Sequence, residues 1–182
     1  MYLSILTLST GNPDTLRILQ LLGLRERDVD ELVRRIGELL EVSVEDYRVD
    51  LDPVARSLYG KVIEGFYEGV GYIVEGNPGS LKVMIAFMAR LASDEVKALE
   101  LGNIEDVKRL RVTQLRFLNT HLKPLLEGVI ASNERLSKAA RILLELIDKD
   151  IELLKDLLFK AKPSYNNSLL ENVQGPPLEP TH

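Results

Sequence analysis

Residues 133–160 read NERLSKAARILLELIDKDIELLKDLLFK, and apolar side chains recur in this stretch every three or four positions. This spacing places them on one face of an α-helix, while lysine, arginine, glutamate and aspartate occupy the other face. The apolar face consists of Leu136, Ala140, Leu143, Ile147, Ile151, Leu154 and Leu158. Because such a helix must bury its apolar face against neighbouring elements, the stretch predicts the long helix of a helical bundle.

Two stretches upstream show the same helical period. One apolar stripe comprises Leu81, Met84, Met88, Leu91 and Leu99, and another comprises Ile104, Val107, Leu110, Leu115, Leu118 and Leu122. With weaker patterns elsewhere, the sequence predicts helices at 13–22, 27–41, 53–73, 79–101, 104–121, 124–131 and 133–160. Pro124 is expected to bend or end the helix before it, and the glycines of 60–76 are expected to kink or break theirs.

Strand signals are weak in this chain. Residues 1–8 alternate loosely, as a strand would, but a strand there has no partner, and 41–51 is interpreted as a loop. Proline, asparagine and glycine dominate from residue 163 onwards, which predicts a flexible tail at 163–182. We therefore predict an all-α fold, a single-domain bundle of about six to seven helices over residues 1–162.

Four asparagine or aspartate residues mark helix starts. Asn12, Asp52 and Asn77 each precede a proline, and Asn103 precedes the acidic pair Glu105-Asp106. An N-cap side chain accepts a hydrogen bond from the first helical turn, and proline fits the first helical position because its missing N–H has no partner there. These residues predict the N-caps of four helices.

Composition excludes several functional classes. The chain of 182 residues has a net charge of −5, which disfavours non-specific binding to nucleic acid. It contains no cysteine and two histidines, so disulfides and thiolate sites are excluded and a histidine-rich metal site is disfavoured. No apolar run approaches the ~20 residues that span a bilayer, and residues 1–8 lack the features of a signal peptide. We expect a cytoplasmic protein without stable membrane insertion.

Catalytic motifs are missing from the sequence. Neither a phosphate-binding glycine loop nor an H-E-x-x-H pair occurs. His121 is interpreted as a packed histidine at a helix end; an enzyme acting through it would need a carboxylate and a nucleophile nearby. The arginines at 109, 111 and 116 are interpreted as a solvated face, and Met84, Phe87 and Met88 as core residues. We predict a protein that binds a peptide or another protein, without catalytic residues, metal or cofactor.

Three segments in the middle of the chain carry a resemblance to a known family. Residues 86–102 read AFMARLASDEVKALELG, residues 114–126 read QLRFLNTHLKPLL, and residues 66–71 read FYEGVG. In order and spacing they resemble the TorD/DmsD/NarJ-type chaperones, which mature molybdenum-containing redox enzymes. The resemblance covers 62–127 best, and residues 1–60 are divergent.

The resemblance has one marked departure. Family members usually read E-x-P-D-H in the loop before the central helix, and their Asp-His pair is tied to binding of the client's signal peptide. This chain has Asn77-Pro78-Gly79-Ser80 there, so Pro78 matches while Gly79 and Ser80 replace the pair. Tyr47-Arg48 is a remnant of a further family motif, Y-x-R-L-F.

The resemblance implies a chaperone that binds the precursor of a molybdopterin oxidoreductase, through its catalytic subunit or its twin-arginine signal peptide, before export. The implied peptide site comprises apolar Tyr67, Tyr72, Pro78 and Phe87, the loop residues Gly79 and Ser80, and acidic Glu64, Glu68 and Glu75. The alternative is a helical adaptor or assembly protein that kept the fold and lost signal-peptide binding. Monomer and homodimer both stay open, and the loop at 76–79 could act as a hinge for domain swapping.

Overall fold

The computed structural model describes residues 1–8 and 13–159. Within these ranges the chain forms helices and no β-strand, which confirms the predicted all-α fold. The helices are α1 (Tyr2–Thr7), α2 (Pro13–Leu21), α3 (Glu26–Leu40), α4 (Val44–Tyr47), α5 (Pro53–Gly69), α6 (Leu81–Glu100), α7 (Ile104–Phe117), α8 (Lys123–Ser132) and α9 (Glu134–Phe159), with a π-helical turn at Leu118–Leu122. The predicted tail at 163–182 and the Asn12 cap lie outside the described residues.

All seven predicted helices are present, and α1 and α4 are additional. The strand considered at 1–8 is wrong, because Tyr2, Ile5 and Leu8 recur every three residues and bury one helical face. Helix α1 packs on α6, and the Tyr2 hydroxyl donates a hydrogen bond to Asp150 of α9 at 2.5 Å. The loop predicted at 41–51 contains the short helix α4, which packs on α5 and α8.

Two helix pairs joined by short connections form the centre of the molecule. Helix α6 packs on α7, and α8 packs on α9; α7 and α3 both pack on α9, so the pairs share one apolar core. The predicted α9 stripe is buried from Leu136 to Leu154, and Met84, Phe87 and Met88 are core residues as predicted. Leu99 and Ile104, at the turn between α6 and α7, are exposed instead, because the stripe runs past the end of the packed surface.

The helix starts agree with the sequence at two caps and differ at one. Asp52 accepts hydrogen bonds from the backbone N–H groups of Val54 and Ala55, and Asn103 accepts one from Asp106. Asn77 does not cap α6: its side chain accepts from the N–H of Gly79 at 2.8 Å and closes a turn. The helix therefore starts three residues later, where Ser80 accepts from Val83.

Breaks in the helices fall where proline and glycine require them. Pro124 cannot donate a backbone hydrogen bond, and the chain widens into the π-helical turn just before it, as expected. Helix α5 continues through Gly60 and Gly65 and ends at Gly69. Gly71 has φ +86°, a conformation that favours glycine, so the break expected within 60–76 lies at the end of α5.

Candidate functional site

A groove lies between residues 72–75 and helix α6, and we call it the loop groove. Its volume is about 230 Å³, below the roughly 300–1,000 Å³ of pockets for small-molecule ligands. It has room for one large side chain. It is lined by Tyr72, Ile73, Val74, Glu75, Val83, Ala86, Phe87 and Arg90. The groove thus brings together Tyr72, Glu75 and Phe87 of the nine residues expected at a peptide site.

Packed aromatic rings support the floor of the loop groove. Phe87 is buried, and its ring centroid lies 4.6 Å from that of Tyr67 and 4.8 Å from that of Phe117. The Tyr72 ring meets Phe87 edge-on, with centroids 5.4 Å apart and ring planes at 84°. Such edge-to-face contacts hold both rings in one orientation, so the apolar floor is preformed.

Asp94 organises the polar rim of the groove. Its Oδ2 accepts hydrogen bonds from the Tyr72 hydroxyl at 2.7 Å and from Arg90 Nε at 2.9 Å, while Lys97 binds Oδ1 at 3.2 Å. Burial by itself would raise the pKa of Asp94, but these donors outweigh it and lower the pKa. Burial and the bond to Asp94 raise the pKa of Tyr72 to about 12, so the phenol stays protonated as a donor.

Tyr67 and Pro78 hold the loop instead of lining the groove. Tyr67 is fully buried, and its hydroxyl donates to the backbone carbonyl of Pro78 at 3.0 Å. Burial raises the pKa of Tyr67 above its usual value, which keeps this donor protonated. In this conformation the Tyr67 ring therefore has no surface to offer a partner, contrary to the expectation for an apolar lining residue.

Gly79 and Ser80 dock the loop onto the α3–α4 segment. The Gly79 carbonyl accepts from the N–H of Val44 at 3.0 Å, and the N–H of Leu81 donates to Val42 at 2.9 Å. A Cβ at position 79 would lie 2.5 Å from Val44 Cγ2, so no side chain fits there without movement. Ser80 is used as the α6 cap. An aspartate at position 79, as in the resembled pattern, would therefore require the loop or Val44 to move.

The three candidate glutamates are exposed and form no ion pair with any residue in the described part of the chain. Glu75 lines the loop groove. Glu64 and Glu68 lie one turn apart on α5 and do not line it. Glu75 is therefore the acidic residue that a partner in the groove would meet.

A buried polar cluster around His121 was not predicted as a unit. Arg48 is buried and bonds both carboxylate oxygens of Asp50 at 2.7 Å, and its guanidinium lies 4.4 Å from the centroid of the Tyr59 ring. The Tyr59 hydroxyl lies 3.1 Å from His121 Nδ1. Burial, with Arg48 and Arg116 nearby, lowers the pKa of His121 to about 4. Only folding brings Arg48 to the π-helical turn, so spacing in the sequence carried no signal for it.

The cluster connects segments that are far apart in the chain. Asp50 bonds Arg48 and not His121, and no other carboxylate in residues 1–8 and 13–159 bonds this histidine as in a catalytic triad. Arg48 also donates to the backbone carbonyl of Thr120 at 3.4 Å, which ties the α4–α5 connection to the π-helical turn. The interpretation of His121 as a packed helix-end residue is confirmed by its burial.

The arginines at 109 and 111 lie outside the loop groove. Arg111 is not on a solvated face, because it pairs with Glu95 at 2.6 Å, while Arg109 stays exposed beside Asp106. A wider groove of about 490 Å³ lies between α1 and α6, lined by Met1, Tyr2, Leu3, Ala89, Ala92, Ser93, Val96, Lys97 and Glu100, and contains no predicted site residue.

Residues 1–8 and 13–159 contain neither a metal-binding cluster nor a membrane-spanning helix. These residues contain no group of three or more His, Cys, Asp or Glu side chains placed to hold a metal ion. None of the helices there combines the length and apolarity needed to cross a membrane. Comparison of the chain with models of known protein families finds no match.

Proposed function

We propose that this chain is a cytoplasmic chaperone of the TorD/DmsD/NarJ type, which binds the precursor of a molybdopterin-dependent oxidoreductase through its twin-arginine signal peptide. On this proposal it holds the precursor during cofactor insertion and assembly, before export, and has no catalytic activity or cofactor of its own. The segments at 66–71, 86–102 and 114–126 support the proposal through their resemblance to that family.

The loop groove is the observation that carries the proposal. A twin-arginine signal peptide has a basic end followed by an apolar stretch. The groove offers an apolar floor at Phe87 and Ala86, and at its edge lies the carboxylate of Glu75, which has no ion-pair partner among the described residues. Arg90, the cation of the rim, is already held by Asp94, so its charge opposes a basic partner less than a free arginine would. One apolar side chain beside one basic residue is the partner that matches this arrangement.

A binding assay with synthetic peptides tests the proposal. The probe is a fluorescent peptide with two consecutive arginines followed by an apolar stretch, titrated with the full chain and followed by fluorescence anisotropy. We expect binding that weakens about tenfold when serine and glycine replace the apolar stretch, because that stretch supplies the buried surface. Replacing the arginines by glutamine should weaken it about two- to fivefold, since exposed ion pairs contribute little.

Two leucine substitutions on α6, one inside the loop groove and one outside it, test whether the peptide binds in the groove. Ala86→Leu adds bulk inside the loop groove at an exposed helix position, whereas Ser93→Leu adds similar bulk two turns further along the same helix, outside it. Ala86→Leu should weaken binding at least about tenfold, and Ser93→Leu should leave it unchanged within about twofold. Absence of peptide binding to the unmodified chain would overturn the proposal.

A second candidate function has one specific observation in its favour. Gly79 and Ser80 are both occupied in docking the loop and capping α6, at the positions where the resembled family has its Asp-His pair. This favours a helical adaptor or assembly protein that kept the fold and lost signal-peptide binding. Capture of an oxidoreductase precursor distinguishes the chaperone from the adaptor. An adaptor should capture the precursor equally with and without its signal peptide, whereas a chaperone should capture the intact precursor better.

A further inference from the structure

Residues 72–75, which we call the strap, connect the end of α5 to the loop at 77–80. Gly71 and Gly76 flank the strap with φ of +86° and +91°. Between these glycines the chain runs from Tyr72 to Glu75 without a turn or a bend. The strap is therefore an irregular segment between two glycines whose backbone conformation side chains rarely adopt.

The main chain of the strap lacks hydrogen-bond partners within the described residues. The N–H of Tyr72 donates to Tyr67 and completes the end of α5 at 2.9 Å. The N–H and C=O groups of Ile73, Val74 and Glu75 bond no described group, although the neighbouring loop from Gly79 to Leu81 is fully hydrogen-bonded at its N–H groups. Exposed groups of this kind are satisfied by water, or by a partner chain that offers matching donors and acceptors.

The side chains of the strap alternate as in a β-strand. Tyr72 and Val74 pack against the core, whereas Ile73 is 95% exposed and Glu75 is exposed. Tyrosine, isoleucine and valine are favoured in strands, and alternation between a buried and an exposed face is the pattern of a half-buried strand. The strap thus has the features of a sheet edge without a neighbouring strand, the arrangement that natural proteins usually cover.

We infer that the strap takes up an added β-strand from an extended peptide, which places one large apolar side chain in the loop groove and a basic residue beside Glu75. The inference rests on the proposed function in requiring a peptide partner, and it specifies how that peptide binds. Main-chain hydrogen bonds to the strap supply affinity for any extended sequence, and the groove supplies selectivity for an apolar residue. A helical peptide cannot bind in this way, because its main-chain groups are already paired.

Amide hydrogen exchange measured by NMR on the full chain tests the mode of binding. The probe is the same synthetic twin-arginine peptide at saturating concentration. Alternate N–H groups of a strand point to the same edge, so either Ile73 and Glu75 together or Val74 alone should become protected, by at least about tenfold. The N–H of Glu105 in the first turn of α7, which bonds no described group, serves as an internal control and should not change.

Backbone methylation of the peptide gives an independent readout. N-methyl groups that remove bonding amides should weaken binding about tenfold at every second position and little at the positions between them. On the protein side, Ile73→Pro removes one N–H of the strap, and Ile73→Thr is its matched control, because threonine keeps the N–H and the strand preference. Thermal unfolding checks that both variants fold. If Ile73→Pro does not fold, the N-methylated peptides still test the inference with the unmodified protein.

The outcomes separate the inference from the proposed function. Peptide binding with unchanged exchange at 73–75, or with a methylation pattern of period three to four, overturns strand addition and leaves the chaperone proposal standing. No peptide binding overturns both. Protection of the strap that rises with protein concentration without peptide shows pairing with a second copy of this chain, and overturns the peptide assignment.

Discussion

The close packing at Gly79 predicts what happens when the side chain of the resembled family is introduced. In Gly79→Asp the new Cβ would lie 2.5 Å from Val44 Cγ2 and 3.3 Å from Glu45 Oε1. The first distance is a steric overlap inside the docked loop. The second places the new acidic side chain next to the Glu45 carboxylate, and the two like charges repel each other.

The size of the effect follows from these two contacts. Gly79→Ala has only the steric contact, and overpacking of this kind costs about 1–3 kcal/mol of unfolding free energy. Gly79→Asp adds charge burial and repulsion, so we expect at least about 3 kcal/mol. Val44→Ala removes the methyl group that Gly79→Ala would strike. The double variant should therefore show a coupling of at least about 1 kcal/mol in the stabilising direction.

Urea unfolding followed by circular dichroism measures these differences. With a slope of about 1–3 kcal/mol per molar urea, Gly79→Ala should lower the midpoint by about 1 M while the slope stays constant. Gly65→Ala is the control, since its Cβ meets nothing within 4 Å in α5 and should stabilise the helix, by about 1 kcal/mol. If Gly79→Asp unfolds within about 0.5 kcal/mol of the unmodified chain, the docking argument is refuted.

Three further predictions concern stability. Burial lowers the pKa of His121 to about 4, whereas an unfolded chain has a histidine pKa of about 6.5, so the folded state takes up the proton less readily. The free energy of unfolding should therefore fall by at most about 3 kcal/mol as the pH drops from about 6.5 towards 4. In unfolding titrations, His121→Phe should remove this part of the pH dependence. Asp52→Ala should cost about 1 kcal/mol in urea unfolding, because two N–H groups at the start of α5 lose their acceptor; Asp52→Asn, which keeps an acceptor, should cost less. Gly128→Ala would put a Cβ 1.6 Å from the Tyr47 carbonyl oxygen, so α4 must move away from α8. We expect the midpoint of thermal unfolding to fall by at least about 5 °C, and an unchanged midpoint would contradict this packing.

Several elements were predictable because their cause is local. The apolar period of α9 runs through one helix and needs no information from elsewhere in the chain. The caps at Asp52 and Asn103 and the break before Pro124 also act within a few residues. Asn77 is an exception. It has the sequence pattern of a helix cap, but the hydrogen bond between Gly79 and Val44 holds residues 77–80 as a loop, and Ser80 caps α6 instead.

The candidate site was only partly predictable. Tyr72, Glu75 and Phe87, expected from a resemblance, lie in one groove. Tyr67 does not line it, because its ring is buried against Phe87 and Phe117. That the main chain of the strap bonds no described residue could not be deduced from residue types, since hydrogen-bond partners depend on the folded surroundings.

The sequence by itself determined the all-α class and most helix boundaries, because periodicity, caps and proline operate over distances of a few residues. Only the tertiary structure decided that α4 docks the loop, that the strap lies open beside α6, and that His121 is buried under Arg48 and Tyr59. Each of these features depends on contacts between segments far apart in the chain, and such contacts form only when the helices pack into one core.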